Sequence, residues 1–339
     1  SGFSSTALYY QEFYTVGSSN DNGPRMVVNY ISHAGLESWW QYETRSAGRA
    51  GAAHVDIFNG NMVFEHPDTS TSGNRMPVSV SHYYNSCQCD DADVWHCGKG
   101  WRMSVQQQVN KRKLTDASGT ATYYMWTDGD GTEHSFLASG TAPYEDSEGM
   151  GLKLALSGTT AVTITDKSHT VMTFTKVTSK SSTDGNNNPT FNLASIADPS
   201  GNTASLDYGA GTLAYDSPVH KITDGAGRET TFTYDGNGRL ATLAAPGNPA
   251  LQYTYDDGGR LTGVSYGDLA GGPHTTYTYG TPGNPDGNLL VSARNYAGET
   301  VSLTYEPQSS FNTALLTGGT DDEMCRVTSL SLDNGVARG

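Results

Sequence analysis

Apolar and polar residues alternate with a period of two in short runs along this chain. Val78-Ser-Val-Ser-His-Tyr83, Thr160-Ala-Val-Thr-Ile-Thr165, Val171-Met-Thr-Phe174 and Thr230-Thr-Phe-Thr-Tyr234 each place every second side chain on one side of an extended backbone. Clusters of Gly, Asn, Asp and Pro separate the runs, as expected of strands joined by tight turns. Helical periodicity is almost absent; its best stretch is the short Leu36–Gln41. The pattern predicts an all-β chain made of many hairpins.

A longer unit overlies the alternation. Asp or Asn is followed three residues later by Gly, with apolar or aromatic residues five and seven positions past the Gly. It reads Asp198…Gly201…Leu206-x-Tyr208, Asp224…Gly227…Phe232-x-Tyr234 and Asn295…Gly298…Leu303-x-Tyr305. Asp116…Gly119…Tyr124-x-Trp126 and Asp128…Gly131…Phe136 are earlier relatives, and Asp166…His169…Phe174 has His in place of Gly. The acid opens a turn, Gly supplies a positive φ, and the next strand turns its five and seven positions to one buried face. Interleaved with this unit, Tyr234-Asp235-Gly-Asn-Gly238-Arg239-Leu240 and Tyr255-Asp256-Asp-Gly-Gly259-Arg260-Leu261 match at an interval of 21 residues. Each tyrosine is expected to stack on the next repeat while its hydroxyl finds a partner. The Asp–Arg pair is expected to fix the turn, at under about 1 kcal/mol for an isolated surface pair.

Composition adds a mechanism and removes some partners. Of 339 residues, 40 are Gly and 20 are Tyr, and the repeat accounts for many of both. Lys and Arg total 20 against 35 Asp and Glu, a formal charge of −15. No basic patch is on hand to neutralise phosphates, which argues against nucleic acid and anionic membranes. Aromatics make up 10% of the chain and argue against disorder. No run approaches the roughly 18 apolar residues of a membrane span. No basic-then-apolar signal precedes Ser1, so the chain is expected to be a processed product or part of something longer.

Tyr-Asp-x-x-Gly-Arg-Leu, repeated with Gly-x-x-x-x-Phe-x-Tyr between copies, resembles the RHS/YD-repeat family over residues 190–310. Residues 46–64, 72–86, Gly98-Lys-Gly-Trp101-Arg102 and Thr127-Asp-Gly-Asp-Gly-Thr132 are similar to the region that opens the array in bacterial wall-associated members. Residues 1–33 are similar to the last strands of a β-sandwich module. The expected organisation is a sandwich-like end at 1–33, a linker at 34–50, an N-terminal opening β region at 51–189 and the repeat array at 190–339. The resemblance implies a long β-sheet spiralling into a hollow shell, in proteins secreted or displayed by bacteria. In toxin-bearing members the shell encloses a C-terminal effector; in others, including animal teneurins, it presents a surface for cell–cell contact. The family's self-cleaving aspartyl segment has no match here, so autoproteolysis and toxin activity are not carried over. Tyr234, Asp235, Gly238, Arg239, Tyr255, Asp256, Gly259 and Arg260 are structural on this reading. Five or six repeats are too few to close a large shell. An open or partial sheet is therefore expected, pairing with further repeats or other copies of the chain through its edges.

Four cysteines, Cys87, Cys89, Cys97 and Cys325, suit an extracellular location where disulfides persist. A Cys87–Cys89 bridge would close too tight a loop, so one bridge within 87–97 and one to Cys325 are expected. The competing reading is a metal site built from His82, His96, Asp90, Asp91 and Asp93, although zinc ligands usually come as paired steps that this spacing lacks.

No nucleophile elbow, His-Glu-x-x-His or phosphate loop occurs, and no catalytic set, cofactor or metal is assigned. Asp128-Gly-Asp130-Gly131 looks like a calcium loop but lacks the bidentate acid that should follow, and it coincides with a repeat turn. Asp90-Asp91 and Asp321-Asp322-Glu323 are read as solvated loop charge. His169 fills a turn position, and His134 lies on a strand beside Glu133. Of Trp39, Trp40, Trp95, Trp101 and Trp126, the pair Trp39-Trp40 is the best candidate for stacking on sugar rings, packing being the competing role. The favoured function is a non-enzymatic secreted or surface scaffold. The alternatives are a carbohydrate-binding adhesin for cell-wall or surface glycans, using Trp39-Trp40 and the tyrosines, and a metal-dependent hydrolase using the 82–97 cluster.

Overall fold

The computed structural model describes residues 9–13, 26–30, 35–89, 93–116, 119–177, 189–267, 274–281, 287–306 and 326–334. Among these, the regular elements are strands and two short 3-10 turns, Gly48–Ala50 and Ser86–Gln88. The all-β expectation therefore holds. Leu36–Gln41 forms turns instead of a helix, because so short a segment cannot repay the cost of helix nucleation.

A two-stranded hairpin, β1 (Tyr9–Phe13) and β2 (Met26–Tyr30), stands at the start. A five-stranded antiparallel sheet follows: β3 (Tyr42–Ser46), β4 (Ala52–Asp56), β5 (Met62–Ser70), β6 (Ser79–Asn85) and β7 (Trp101–Met103). Each strand pairs with its neighbour in sequence.

The next eight strands are β8 (Gln108–Asp116), β9 (Gly119–Thr127), β10 (Glu133–Leu137), β11 (Tyr144–Glu145), β12 (Lys153–Ser157), β13 (Ala161–Thr165), β14 (Val171–Lys176) and β15 (Thr190–Ala197). They close into a ring. β15 pairs with β14 on one side and β8 on the other, so that Phe191 lies opposite both Lys176 and Val109. An isolated bridge between Phe136 and Asp146 joins β10 to the strand beyond it.

From β15 the same sheet continues through β16 (Thr203–Asp207), β17 (Lys221–Thr223), β18 (Glu229–Tyr234), β19 (Leu240–Ala244), β20 (Leu251–Tyr255), β21 (Leu261–Tyr266), β22 (Thr275–Tyr279), β23 (Leu290–Asn295), β24 (Thr300–Tyr305) and β25 (Val327–Asp333). Among the described residues β25 pairs with β24 alone, so the large sheet does not close into one barrel. The expected regions 51–189 and 190–339 meet in β15, a strand shared by the ring and the repeat sheet.

Two cores follow from this path. Val109, Tyr124, Trp126, Phe136, Leu154, Val162, Ile164 and Phe174 fill the ring. A second core joins Met62, Phe64, Tyr84 and Trp101 of the five-stranded sheet to Phe232, Leu243, Val264, Tyr277 and Leu303 of the repeat sheet. The five-stranded sheet thus covers one face of the repeat sheet, as paired sheets must when each has one apolar face.

Candidate functional site

The repeat chemistry is directed at the backbone. Asp235 Oδ1 accepts from the amides of Asn237 (2.8 Å) and Arg239 (2.9 Å), and Asp256 Oδ1 accepts from Arg260 N (2.9 Å). Asp198 and Asp224 hold their turns the same way. Gly238 and Gly259 have φ of +80° and +81°, a left-handed conformation that glycine adopts at no steric cost. His169 takes φ +63° in the repeat that lacks the glycine. Immediately before each repeat tyrosine the ladder shifts register, between Thr233 and Tyr234 and again between Thr254 and Tyr255. Such a bulge re-aims the side chain that follows it.

Every one of these tyrosines donates to a main-chain carbonyl of an earlier strand or turn. Tyr208 bonds Leu193 O (2.6 Å), Tyr234 bonds Val219 O (2.7 Å), Tyr255 bonds Leu240 O (2.9 Å) and Tyr305 bonds Leu290 O (2.7 Å), each reaching back 15 residues. Tyr279 reaches Leu261 O (2.6 Å) and also accepts from the Trp101 indole (2.8 Å). Burial pushes these phenols well up. They are neutral donors stitching one repeat to the next.

The Asp–Arg pair forms as expected at Asp256–Arg260 (2.7 Å) and also at Asp224–Arg228 (2.7 Å). At Asp235 the arginine differs. Arg239 turns away to Asp93 (3.7 Å) and lies over the Tyr255 ring at 5.6 Å, because the 93–101 loop lies against this repeat. His96 of that loop sits between the carbonyls of Gly238 (2.7 Å) and Asp216 (2.6 Å).

That loop takes His96 and Asp93 away from His82, so among the described residues the alternative 82–97 metal cluster does not assemble; Asp90 and Asp91 lie outside the described residues. Asp93 instead accepts from the amides of Cys97 and Gly98 (both 3.0 Å). The expected bridge within 87–97 is also corrected. Cys89 and Cys97 are buried thiols packed in the inter-sheet core, whereas Cys87 is disulfide-bonded. Cys325 and Asp321-Asp322-Glu323 lie outside the described residues.

His82 has other partners. It faces His66 across the β5–β6 ladder, and the two rings stack with centroids 4.5 Å apart. A register shift between Pro67 and Thr69 brings Asp68 beside them. His82 Nδ1 lies 2.9 Å from each Asp68 oxygen, and His66 Nδ1 lies 3.3 Å from Asp68 Oδ1. The repeat sheet closes over this group. Tyr253 donates to Asp68 Oδ1 (2.7 Å), the Tyr266 hydroxyl meets His66 Nε2 (2.6 Å), and the Tyr277 hydroxyl lies 3.3 Å from His82 Nε2. His66, Asp68 and His82 are buried, at 0%, 4% and 1% exposure. Burial works to raise the Asp68 pKa, but the two imidazoles outweigh it and hold the carboxyl well below its usual range. Burial pushes His66 down. These three are the described residues able to converge on a metal ion. Period-two spacing of His66-x-Asp68 on one strand was the signal available in the sequence; the cross-strand match to His82 was not.

A second polar cluster lies by the ring. Asp128 Oδ1 caps its own turn through Asp130 N (3.1 Å) and Thr132 N (3.0 Å), which supports a turn at this loop. His134 lies between Asp128 (3.4 Å) and Glu148 (3.6 Å). Burial opposes its cation, but the two carboxylates prevail and raise its pKa to about 10. Burial and the neighbouring Asp128 charge raise Asp130 to about 7.

Trp101 and Trp126 are core residues and Trp95 packs under Arg102 at 4.6 Å. Trp39 is 48% exposed and Trp40 is half-buried. No helix of the described residues is long and apolar enough to cross a membrane.

Residues 52–136 match a domain of unknown function, DUF6531, and residues 219–250 match the RHS Repeat family. No curated protein matches the chain. A solved Photorhabdus luminescens Tc holotoxin pore is similar at 12% identity over 76% of this chain and 18% of that one, with a TM-score of 0.24. The 219–250 match contains the first Tyr-Asp-x-x-Gly-Arg-Leu copy, whose capped turn, register shift and back-bonded tyrosine recur in the next copy; this stretch of the chain is similar to the RHS Repeat family.

Proposed function

We propose that this chain is a non-enzymatic scaffold, a stretch of β wall from a secreted or surface-displayed bacterial protein. In that parent protein the wall encloses an effector or presents a surface. The observation that carries this reading is the destination of the repeat side chains. Tyrosine hydroxyls bond carbonyls inside the sheet, aspartates hold turns, and His66 and His82 are closed off between two sheets. Such residues stiffen a wall and leave no reacting group facing a substrate. Among the described residues the β25 ladder runs to β24 alone, with β3 and the Gly60 turn close to its start, and a strand edge without a ladder is a template for further chain or another copy.

Protease digestion of the natural polypeptide containing this stretch tests the proposal. A scaffold leaves residues 42–333 as one resistant block together with any segment it encloses. Rapid cleavage within β16–β25 overturns it, as does hydrolase turnover that disappears in Asp68→Asn while the fold is kept. Disulfide mapping tests the extracellular placement, with Cys87 expected to be joined to Cys325. A second reading, glycan binding, is supported by the exposure of Trp39. It requires binding to a cell-wall or surface glycan that is lost in Trp39→Ala/Trp40→Ala.

A further inference from the structure

His66, Asp68 and His82 form a donor set that the scaffold reading leaves unexplained. Two imidazoles and a carboxylate converge, their donor atoms within 4.8 Å of one another. A tetrahedral zinc with bonds of 2.0–2.1 Å needs neighbouring donors about 3.3 Å apart. The separations here are 2.9 Å from His82 Nδ1 and 3.3 Å from His66 Nδ1 to the carboxylate.

Three further observations point to an occupant. His66 uses Nε2 on the Tyr266 hydroxyl, while its Nδ1, fully buried, has no hydrogen-bond partner and is aimed at Asp68. A buried nitrogen left unsatisfied is destabilising, and coordination removes that cost. Asp68 is withdrawn from water at 4% exposure, and a buried carboxylate needs a cation beside it. Finally, the register shift at Pro67/Thr69 lies at the ligand position itself, where a bulge serves to aim a side chain. The Tyr253 hydroxyl, donating to Asp68 Oδ1 at 2.7 Å, would orient the ligating carboxylate.

We propose that His66, Asp68 and His82 bind one divalent first-row transition metal ion of the zinc class, locking the five-stranded sheet to the repeat sheet. The mixed nitrogen and oxygen donors suit such an ion better than calcium or magnesium, which take oxygen. The site is closed by Tyr253, Tyr266 and Tyr277, so the ion is structural and enters as the sheets come together.

The test is refolding of the whole chain with Zn2+, with Co2+ and with no metal, followed by metal analysis after desalting. The expected result is about one ion per chain, a higher Tm with zinc than without, and the visible absorption of cobalt held by nitrogen and oxygen donors. His66→Phe keeps the stacked ring and should lose the ion and the metal-dependent part of the Tm. Wild-type protein that folds to the same Tm without metal and retains no zinc or cobalt overturns the proposal. Because the wild-type cobalt spectrum is read directly, the proposal stays falsifiable even if the variant fails to fold. Loss of this metal site would leave the scaffold reading intact, since that reading rests on the protease result.

Discussion

The ring of β8–β15 and the open sheet of β16–β25 belong to one continuous ladder, yet they bury their apolar faces differently. The ring turns its apolar side chains inward on one another, with Phe136, Leu154, Ile164 and Phe174 all fully buried. Closure leaves it no bare edge, since β15 meets β8. The repeat sheet cannot do this. Its inner face is covered by a separate five-stranded sheet, and the joint includes a polar group, the His66–Asp68–His82 cluster under three tyrosines. A closed ring needs no partner to complete its core, whereas a repeat sheet needs a cover. Leu206 packs against both cores and marks where one solution gives way to the other.

The largest effect should come from breaking either core. Phe174→Ala in the ring and Trp101→Ala in the seam should each cost about 3–5 kcal/mol, measured by chemical denaturation. If the two regions are energetically separate, the double variant should show the sum of the two costs within about 0.5 kcal/mol. A large coupling would mean that ring and seam fold as one unit. Asp68→Asn comes next, because it leaves His82 and Tyr253 without their charged acceptor in a dry site. A loss of about 3 kcal/mol is expected, together with faster hydrogen exchange in β5, β6 and β20 and little change in the ring.

Tyr234→Phe and Tyr255→Phe should each lose about 1 kcal/mol, since each removes one donor from a buried carbonyl and keeps the ring. Equal losses at the two positions would confirm that the repeats are energetically equivalent. A further effect is confined to the ring side and concerns pH. His134 is raised to about 10, against about 6.5 in an unfolded chain. Its contribution is therefore complete below about pH 6.5 and is lost as pH climbs through about 10. Tm should fall across that window, and His134→Gln should flatten the fall; an unchanged slope would refute the assignment.

The alternation and the repeat were legible because they are local. A turn acid, a left-handed glycine and a tyrosine lie within a dozen residues of one another, and their roles at Asp224, Gly227 and Tyr234 follow from backbone geometry alone. The Asp–Arg pairing was legible for Asp256–Arg260 for the same reason. It failed at Arg239 because the 93–101 loop, distant in sequence, supplies Asp93 as a competing carboxylate. The cysteines failed in the same way. The spacing read as one bridge within 87–97, but the inter-sheet core takes Cys89 and Cys97 as small apolar residues.

The sequence by itself determined the β class, the hairpin period and the positions that repeat, since each is set by contacts within one turn or between adjacent strands. Tertiary structure alone decided that β15 would close a ring with β8 and that a five-stranded sheet would cover the array. It also decided that His82 would meet His66 and Asp68 rather than His96 and Asp93. Those outcomes depend on which distant strands pair and which faces are buried together. A period-two pattern says that a residue faces inward; it cannot say what it will face.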